Sequence, residues 1–120
     1  MDLRDCAGMT SEGIVYIVTR AHSLTSLRLR ALGVKDVCIE AIAQHCPRLR
    51  TLDVQNCHSL TFSGGLSLVI QRERCVFWET LRIFNIVGLR LSTEQLEVVK
   101  TGLHPEARVQ HFLEEDLGGV

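Results

Sequence analysis

Aromatic side chains and long hydrophobic runs are both scarce in this sequence. Phe, Trp and Tyr make up 5% of its 120 residues although 46% are hydrophobic, so a core must be built mainly from Leu, Ile, Val and Ala. The longest apolar stretches, such as residues 14–18, are far too short to span a bilayer. The first residues have neither the order of a signal peptide nor the composition of a transit peptide. We therefore expect a soluble protein that does not contact a membrane.

An excess of positive charge is also lacking. The net charge of −1 argues against general nucleic-acid binding, which needs a basic surface that displaces counterions. Residues 20–90 contain ten Arg or Lys and five Asp or Glu, whereas residues 91–120 contain two Arg or Lys and six Asp or Glu. This asymmetry predicts a mildly basic middle and an acidic end, as solvated surfaces or as contacts to a partner.

The five cysteines include no Cys-x-x-Cys pair, the usual anchor of a structural zinc site. An odd number without a compact framework favours a reducing compartment over a disulfide scaffold. We expect a cytoplasmic protein, with the nucleus or an organellar matrix as alternatives.

One pattern recurs along the chain: apolar, any, apolar, any, any, then Cys or an apolar residue. It starts near residues 1, 27, 52 and 81, and a weaker copy starts near residue 107. The alternation predicts a short strand, and each segment that follows has apolar residues at helical spacing. Units of this kind cannot bury their apolar faces alone, and they stack into a solenoid. The sequence thus predicts one α/β domain over residues 1–120 with about four repeats, parallel strands on the concave face and helices on the convex face.

Polar residues mark the predicted helix starts. Thr10 or Ser11 is expected to cap the first helix, and Ser92 or Thr93 the last. The third helix is expected to begin near Ser63. The adjoining Gly64–Gly65 pair lacks the spacing of a nucleotide-binding loop, so we expect it to ease a tight turn.

The N-terminal edge of this solenoid is predicted to be bare. Met1, Leu3 and Cys6 would form an apolar edge, whereas a solenoid end needs a polar cap. The chain is therefore expected to be a fragment, to lack its N-terminal cap, or to be covered there by a neighbouring subunit. The acidic residues 114–116 are expected to form a charged end.

Residues 38–61, CIEAIAQHCPRLRTLDVQNCHSLT, place a helix that ends in Cys-Pro before a Leu-x-Leu-x-x-Cys strand. A Leu-Thr pair then opens the next helix, and residues 2–14 are a second close copy. This order resembles the cysteine-containing leucine-rich repeat of F-box/leucine-rich-repeat proteins and their F-box-lacking relatives. The later copies depart from it, because Val76 follows Cys75 and Ile86 replaces the strand-end cysteine.

The resemblance implies a protein-binding module, in particular the substrate-recognition part of an F-box-type ubiquitin ligase. An F-box is expected upstream of such repeats, and residues 1–120 contain no such segment. The alternative is a structural subunit or scaffold within a larger intracellular assembly. Neither role is enzymatic, and we expect no metal or other cofactor, although a repeat scaffold by itself leaves the activity open.

The cysteines have a structural explanation in this repeat. Cys57 occupies a position that another copy fills with Leu32, and a metal ligand cannot be exchanged for leucine. We expect Cys46 and Cys57 to be buried packing residues whose thiols donate weakly to carbonyls, not zinc ligands or nucleophiles. For Cys38 and Cys75, an accessible oxidisable thiol is the alternative.

The candidate binding residues are those that point outward from the predicted strands. Arginines there suit bidentate contacts with carboxylates or phosphate on a protein partner, and Phe84 is predicted to be an exposed aromatic anchor. Two alternatives are that outward Asp and Arg pair along the sheet, and that a loop covers Phe84. The predicted partner-binding residues are Arg4, Arg28, Arg30, Asp53, Gln55, Arg82, Phe84 and Asn85.

Overall fold

The computed structural model describes residues 1–4, 8–30 and 33–111, and its strands form one parallel sheet. The strands β1 (Ser26–Arg28), β2 (Thr51–Asp53), β3 (Ile83–Asn85) and β4 (Arg108–Gln110) lie in sequential order. Asp2 adds an isolated parallel bridge to Arg28 at the outer edge of β1. The chain is thus mixed α/β with a parallel sheet, as the strand and helix patterns predict.

Helical segments precede and connect these strands. They are α1 (Ser11–Val18), α2 (Asp36–His45), a π-helical turn (Phe62–Leu66) that leads into α3 (Ser67–Val69), and α4 (Thr93–Gly102). Parallel neighbours require such crossovers, because each strand must begin at the same edge of the sheet. No helix within the described ranges combines the length and the apolar character needed to cross a membrane.

Hydroxyl side chains start three of the helical segments. The hydroxyls of Thr10 and Thr61 each accept the N–H three residues later, at 3.1 and 3.0 Å. Ser92, one of the two predicted caps of the last helix, forms a reciprocal capping box with Gln95. The third helical segment begins earlier than expected, because Thr61 and not Ser63 is its cap.

Apolar residues of the strands and helices form a single core. Leu27, Leu52 and Phe84 lie side by side on adjacent strands and are fully buried. Ile14 of α1 and Ile42 of α2 belong to the same cluster. Each such side chain contributes about 1.5–3 kcal/mol by its removal from water.

The strand β3 lies three residues later than predicted. The sheet pairs Leu52 with Phe84, whereas a repeat that starts near residue 81 requires Leu81. Residues 81–89 match the repeat pattern twice, once from Leu81 and once from Phe84. A shift by an odd number of residues exchanges the two faces of a strand. Phe84 is therefore fully buried, and Ile83 is 37% exposed.

The start of the last strand copy also differs from the prediction. Phe84 pairs with Val109, so the final copy starts at Val109 and not at Ala107. The repeat between β2 and β3 is longer than its neighbours because residues 71–80 form additional turns. Leu81 is buried just ahead of β3 instead of within it.

A common turn ends three of the strand copies. Asp2, Asp53 and Asn85 occupy the same position in their copies, and a side-chain oxygen of each accepts the N–H two residues later at 2.9–3.0 Å. Beyond this turn, Asn56 (φ 61°) and Gly88 (φ 83°) adopt left-handed backbone at equivalent positions. Asn and Gly tolerate this conformation best.

Of the residues predicted to form the N-terminal edge, Leu3 is buried and Met1 is exposed. Cys6, Leu32 and the acidic residues 114–116 lie outside the described residues. The extent of the domain and a neighbouring subunit over this edge stay predictions.

Candidate functional site on the open face of the sheet

The face of the sheet opposite the core, called the open face below, holds a shallow depression of about 260 Å³. It forms because the residues before and after the buried strand position point away from the helices. Its lining combines cations, amides, one carboxylate and one exposed aliphatic side chain: Arg28, Arg30, Thr51, Asp53, Ile83, Asn85 and Gln110.

The structure brings five of the eight predicted partner-binding residues together. Gln55 adjoins the depression, since its side-chain oxygen accepts from the Asn85 amide at 3.4 Å. Arg4 lies beyond β1, next to the bridge that Asp2 forms. Their role in partner binding stays a prediction. The residues brought together are Arg28, Arg30, Asp53, Gln55 and Asn85.

Phe84 does not lie on the open face, and the prediction of an exposed aromatic anchor is wrong. It is fully buried in the core row beside Leu52, because β3 starts three residues later than predicted. Ile83 takes the outward place and was missed from sequence. The sequence carries no local signal for this shift, because Gly88 aligns with Asn56 when the copy starts at Phe84 and Asn85 does so when it starts at Leu81.

Arg82 also lies outside the depression, just before β3. Its guanidinium donates to the carbonyl oxygens of Glu79 and Leu81, both at 2.9 Å. Its Nε lies 3.5 Å from a carboxylate oxygen of Glu106. These contacts hold the strand entry together, so Arg82 has a structural role that the outward assignment did not anticipate.

Two outward-pointing arginines form salt bridges with aspartates: Arg4 with Asp2, and Arg30 with Asp53 of the adjacent strand. Arg4 contacts both carboxylate oxygens of Asp2 at 2.6–2.9 Å, and its guanidinium, followed by its backbone N–H, holds the pKa of Asp2 well below the usual range. An Nη of Arg30 lies 3.8 Å from the buried carboxylate of Asp53. Arg28, which lies in the same row as both aspartates, forms no salt bridge with either within the described residues, although its charge also lowers the pKa of Asp2.

Two further cations lie on the open face outside these pairs. Arg28 and Arg108 are exposed, and neither forms a salt bridge within the described ranges. Arg108 pairs with Ile83 in the sheet, so it lies beside the apolar centre of the depression. Arg108 and Gln110 are additions to the predicted set.

The four cysteines of the described chain are buried in the core. The Cys57 thiol donates to the Leu29 carbonyl at 3.0 Å, and the Cys46 thiol to the Val18 carbonyl at 3.7 Å. The predicted packing role is confirmed for both. Within residues 1–4, 8–30 and 33–111, no three His, Cys, Asp or Glu side chains are grouped to hold a metal ion.

We expect Cys38, Cys46, Cys57 and Cys75 to react slowly with a mild alkylating reagent in the folded chain and rapidly in concentrated urea. Cys38 and Cys75 are 0% and 4% exposed, so the alternative of accessible thiols is wrong for them. Burial raises the pKa of Cys46, and it raises the pKa of Cys75 to about 12. Time-resolved alkylation followed by mass spectrometry measures each rate.

The raised thiol pKa values also predict how stability depends on pH. The thiols of Cys46 and Cys75 ionise near pH ~8.5 in the unfolded chain, whereas in the folded chain they stay protonated to higher pH. Their contribution to the free energy of unfolding is complete below that value and falls as the pH rises toward 12 for Cys75. In the alkylation experiment, rapid labelling of a single thiol in the folded chain would contradict the expected slow reaction and support a thiol enzyme.

Comparisons of the chain with protein-family models, with curated proteins and with solved structures found no match.

Proposed function

We propose that this chain is a leucine-rich-repeat solenoid whose open face binds another protein. The observation that carries the proposal is the depression, in which exposed Ile83 lies among the side chains of Arg28, Asn85 and Gln110. An aliphatic centre within a polar, hydrogen-bonding rim is the usual composition of a protein interface.

Repetition within the structure supports the solenoid. Equivalent core residues align on successive parallel strands, as Leu27, Leu52 and Phe84 do. The side-chain turns and the left-handed residues Asn56 and Gly88 recur at equivalent positions. Repeats that contact only their neighbours are expected to have this regularity.

The charges of the open face favour an acidic partner segment. The carboxylates of Asp2 and Asp53 already lie beside arginines of the same face. Arg28 and Arg108 are left to pair with carboxylates of a partner, at an exposed surface where such pairs mainly provide orientation and rate of association. An apolar side chain of the partner would cover Ile83.

The ligase role is the more specific part of the proposal, and it depends on the resemblance to F-box/leucine-rich-repeat proteins. In that role the open face selects the protein to be ubiquitinated. A scaffold subunit would use the same face to bind a permanent neighbour, so the composition of the purified complex separates the two roles.

We expect the Arg28→Glu/Arg108→Glu variant to lose its partner. Both cations are exposed, so the charge reversal should repel an acidic segment while the thermal midpoint changes by only a few degrees. Affinity purification of the full chain with quantitative mass spectrometry should show at least a tenfold loss of the proteins that the wild type captures.

Lys100→Glu provides the matched control, because Lys100 is exposed on α4 and not on the open face. Equal capture by wild type and double variant, or equal loss with Lys100→Glu, would place binding elsewhere. Ubiquitin-ligase subunits in the wild-type complex would support the ligase role, and a stoichiometric complex without them would support the scaffold.

A further inference from the structure

Side chains bridge the first two pairs of neighbouring loops that lead into the helices. The Ser11 hydroxyl donates to the Gly33 carbonyl at 2.7 Å. The Asp36 carboxylate accepts from the backbone N–H of Thr61 at 2.9 Å and from its hydroxyl at 2.6 Å. These bonds join consecutive repeats and close the space between their loops.

The third pair of loops has no such bridge. Ser92 and Gln95 bond to each other in their capping box, and the hydroxyl of Thr61 is already engaged with Asp36. Within the described stretch 33–111, no side-chain hydrogen bond joins residues 58–66 to residues 89–95. A cleft of about 490 Å³ opens between these two segments.

Four leucines and one phenylalanine are among the nine residues that line the cleft, and polar groups contribute the larger part of its exposed lining. Leu60, Phe62, Leu89 and Leu91 are half-buried, and Leu66 at the base is fully buried. The volume falls within the ~300–1,000 Å³ of ligand-binding clefts, and the half-buried lining keeps part of its apolar surface in water. A large apolar side chain that entered the cleft would remove that surface from water.

The polar lining residues carry positive or no charge. Arg90 is exposed, and it makes no salt bridge or side-chain hydrogen bond with the described residues. His58 is also exposed, and the lining includes no Asp or Glu. The nearby carboxylate of Asp36 is held by Thr61. The cleft therefore complements a negative charge next to an apolar group.

We propose that this cleft is a second protein-binding site, and that it takes a segment in which a large apolar side chain neighbours a carboxylate. The apolar side chain enters between the two loops, and the carboxylate pairs with Arg90. The site lies on the loops that follow β2 and β3, apart from the open face. It therefore does not depend on the function proposed for that face.

Selection from a random peptide library on the immobilised full chain tests this site whichever protein binds it in the cell. We expect enriched peptides to carry an aliphatic or aromatic residue within two positions of Asp or Glu. Titration of such a peptide into ¹⁵N-labelled chain should perturb the amide resonances of residues 58–66 and 89–95. Arg90→Glu should weaken binding at least tenfold, and Leu91→Ala about fivefold.

Changing the charge on both partners distinguishes a direct ion pair between Arg90 and the peptide carboxylate from a general disruption of the cleft. Replacing the peptide carboxylate with its amide should weaken binding to wild type at least tenfold, but it should strengthen binding to Arg90→Glu, because it removes a like-charge repulsion. Lys100→Glu, which lies neither on the open face nor in the lining of the cleft, should leave peptide affinity unchanged. The proposal is overturned if no peptide is enriched, if the enriched peptides lack an acid, or if the perturbed amides lie on the strands.

Discussion

Replacing Phe84 with alanine is expected to lower the free energy of unfolding by about 3–5 kcal/mol, whereas Ile83→Ala should cost less than about 1 kcal/mol. Phe84 is fully buried beside Leu52 on the adjacent strand. Ile83 is 37% exposed on the other face. Urea unfolding, followed by circular dichroism and by the fluorescence of Trp78, the sole tryptophan, measures both losses.

The two substitutions report the register of β3 because the competing register has the opposite faces. A copy that started at Leu81 would bury Ile83 and expose Phe84. Leu52→Ala should cost about 2–5 kcal/mol in either register and therefore shows that the assay detects core damage. Equal losses for the two residues, or a larger loss for Ile83, would contradict the pairing of Leu52 with Phe84.

Gly65→Ala is expected to lower the free energy of unfolding by about 2–3 kcal/mol, although alanine normally favours helical backbone over glycine. A Cβ at Gly65 would overlap the carboxylate of Asp36. That carboxylate is held by its two hydrogen bonds to Thr61 and cannot move without losing them. Close packing, more than a tight turn, therefore explains the glycine here.

The overlap predicts strong coupling between Gly65 and Asp36. Asp36→Ala alone should cost about 1–3 kcal/mol through the lost bonds to Thr61. In that background Gly65→Ala should cost less than about 0.5 kcal/mol, because the carboxylate is gone. Gly33→Ala is the control, since a Cβ there meets nothing within 4 Å. Additive losses in the double variant, measured by urea unfolding, would contradict the overlap.

Much of the fold could be predicted because local periodicity and caps depend on nearby residues only. The pairing of Leu27 with Leu52 follows from the spacing of two neighbouring copies that match the pattern at equivalent positions. Thr10 and Ser92 begin their helices because a hydroxyl must reach only the N–H three residues on. In the region of Leu81 the pattern has two matches, so local information could not select between them.

The candidate site was predictable to the extent that the register was. Arg28 and Asp53 lie on the open face because β1 and β2 follow the predicted register. Phe84 was misplaced by the shift of β3, while Ile83 was missed for the same reason. The cleft beside Arg90 had no sequence signal, because it depends on which neighbouring loops are bridged.

Spacing along the chain was enough to predict the order of strands and helices, the hydroxyl caps of the first and last helices, and the inward direction of Leu27, Leu52 and Cys57. Tertiary structure alone decided that Phe84 and not Leu81 pairs with Leu52. It also decided which aspartate each arginine approaches and where a cleft stays open. These features depend on which residues bury more surface against distant strands and loops, and no local sequence pattern contains that information.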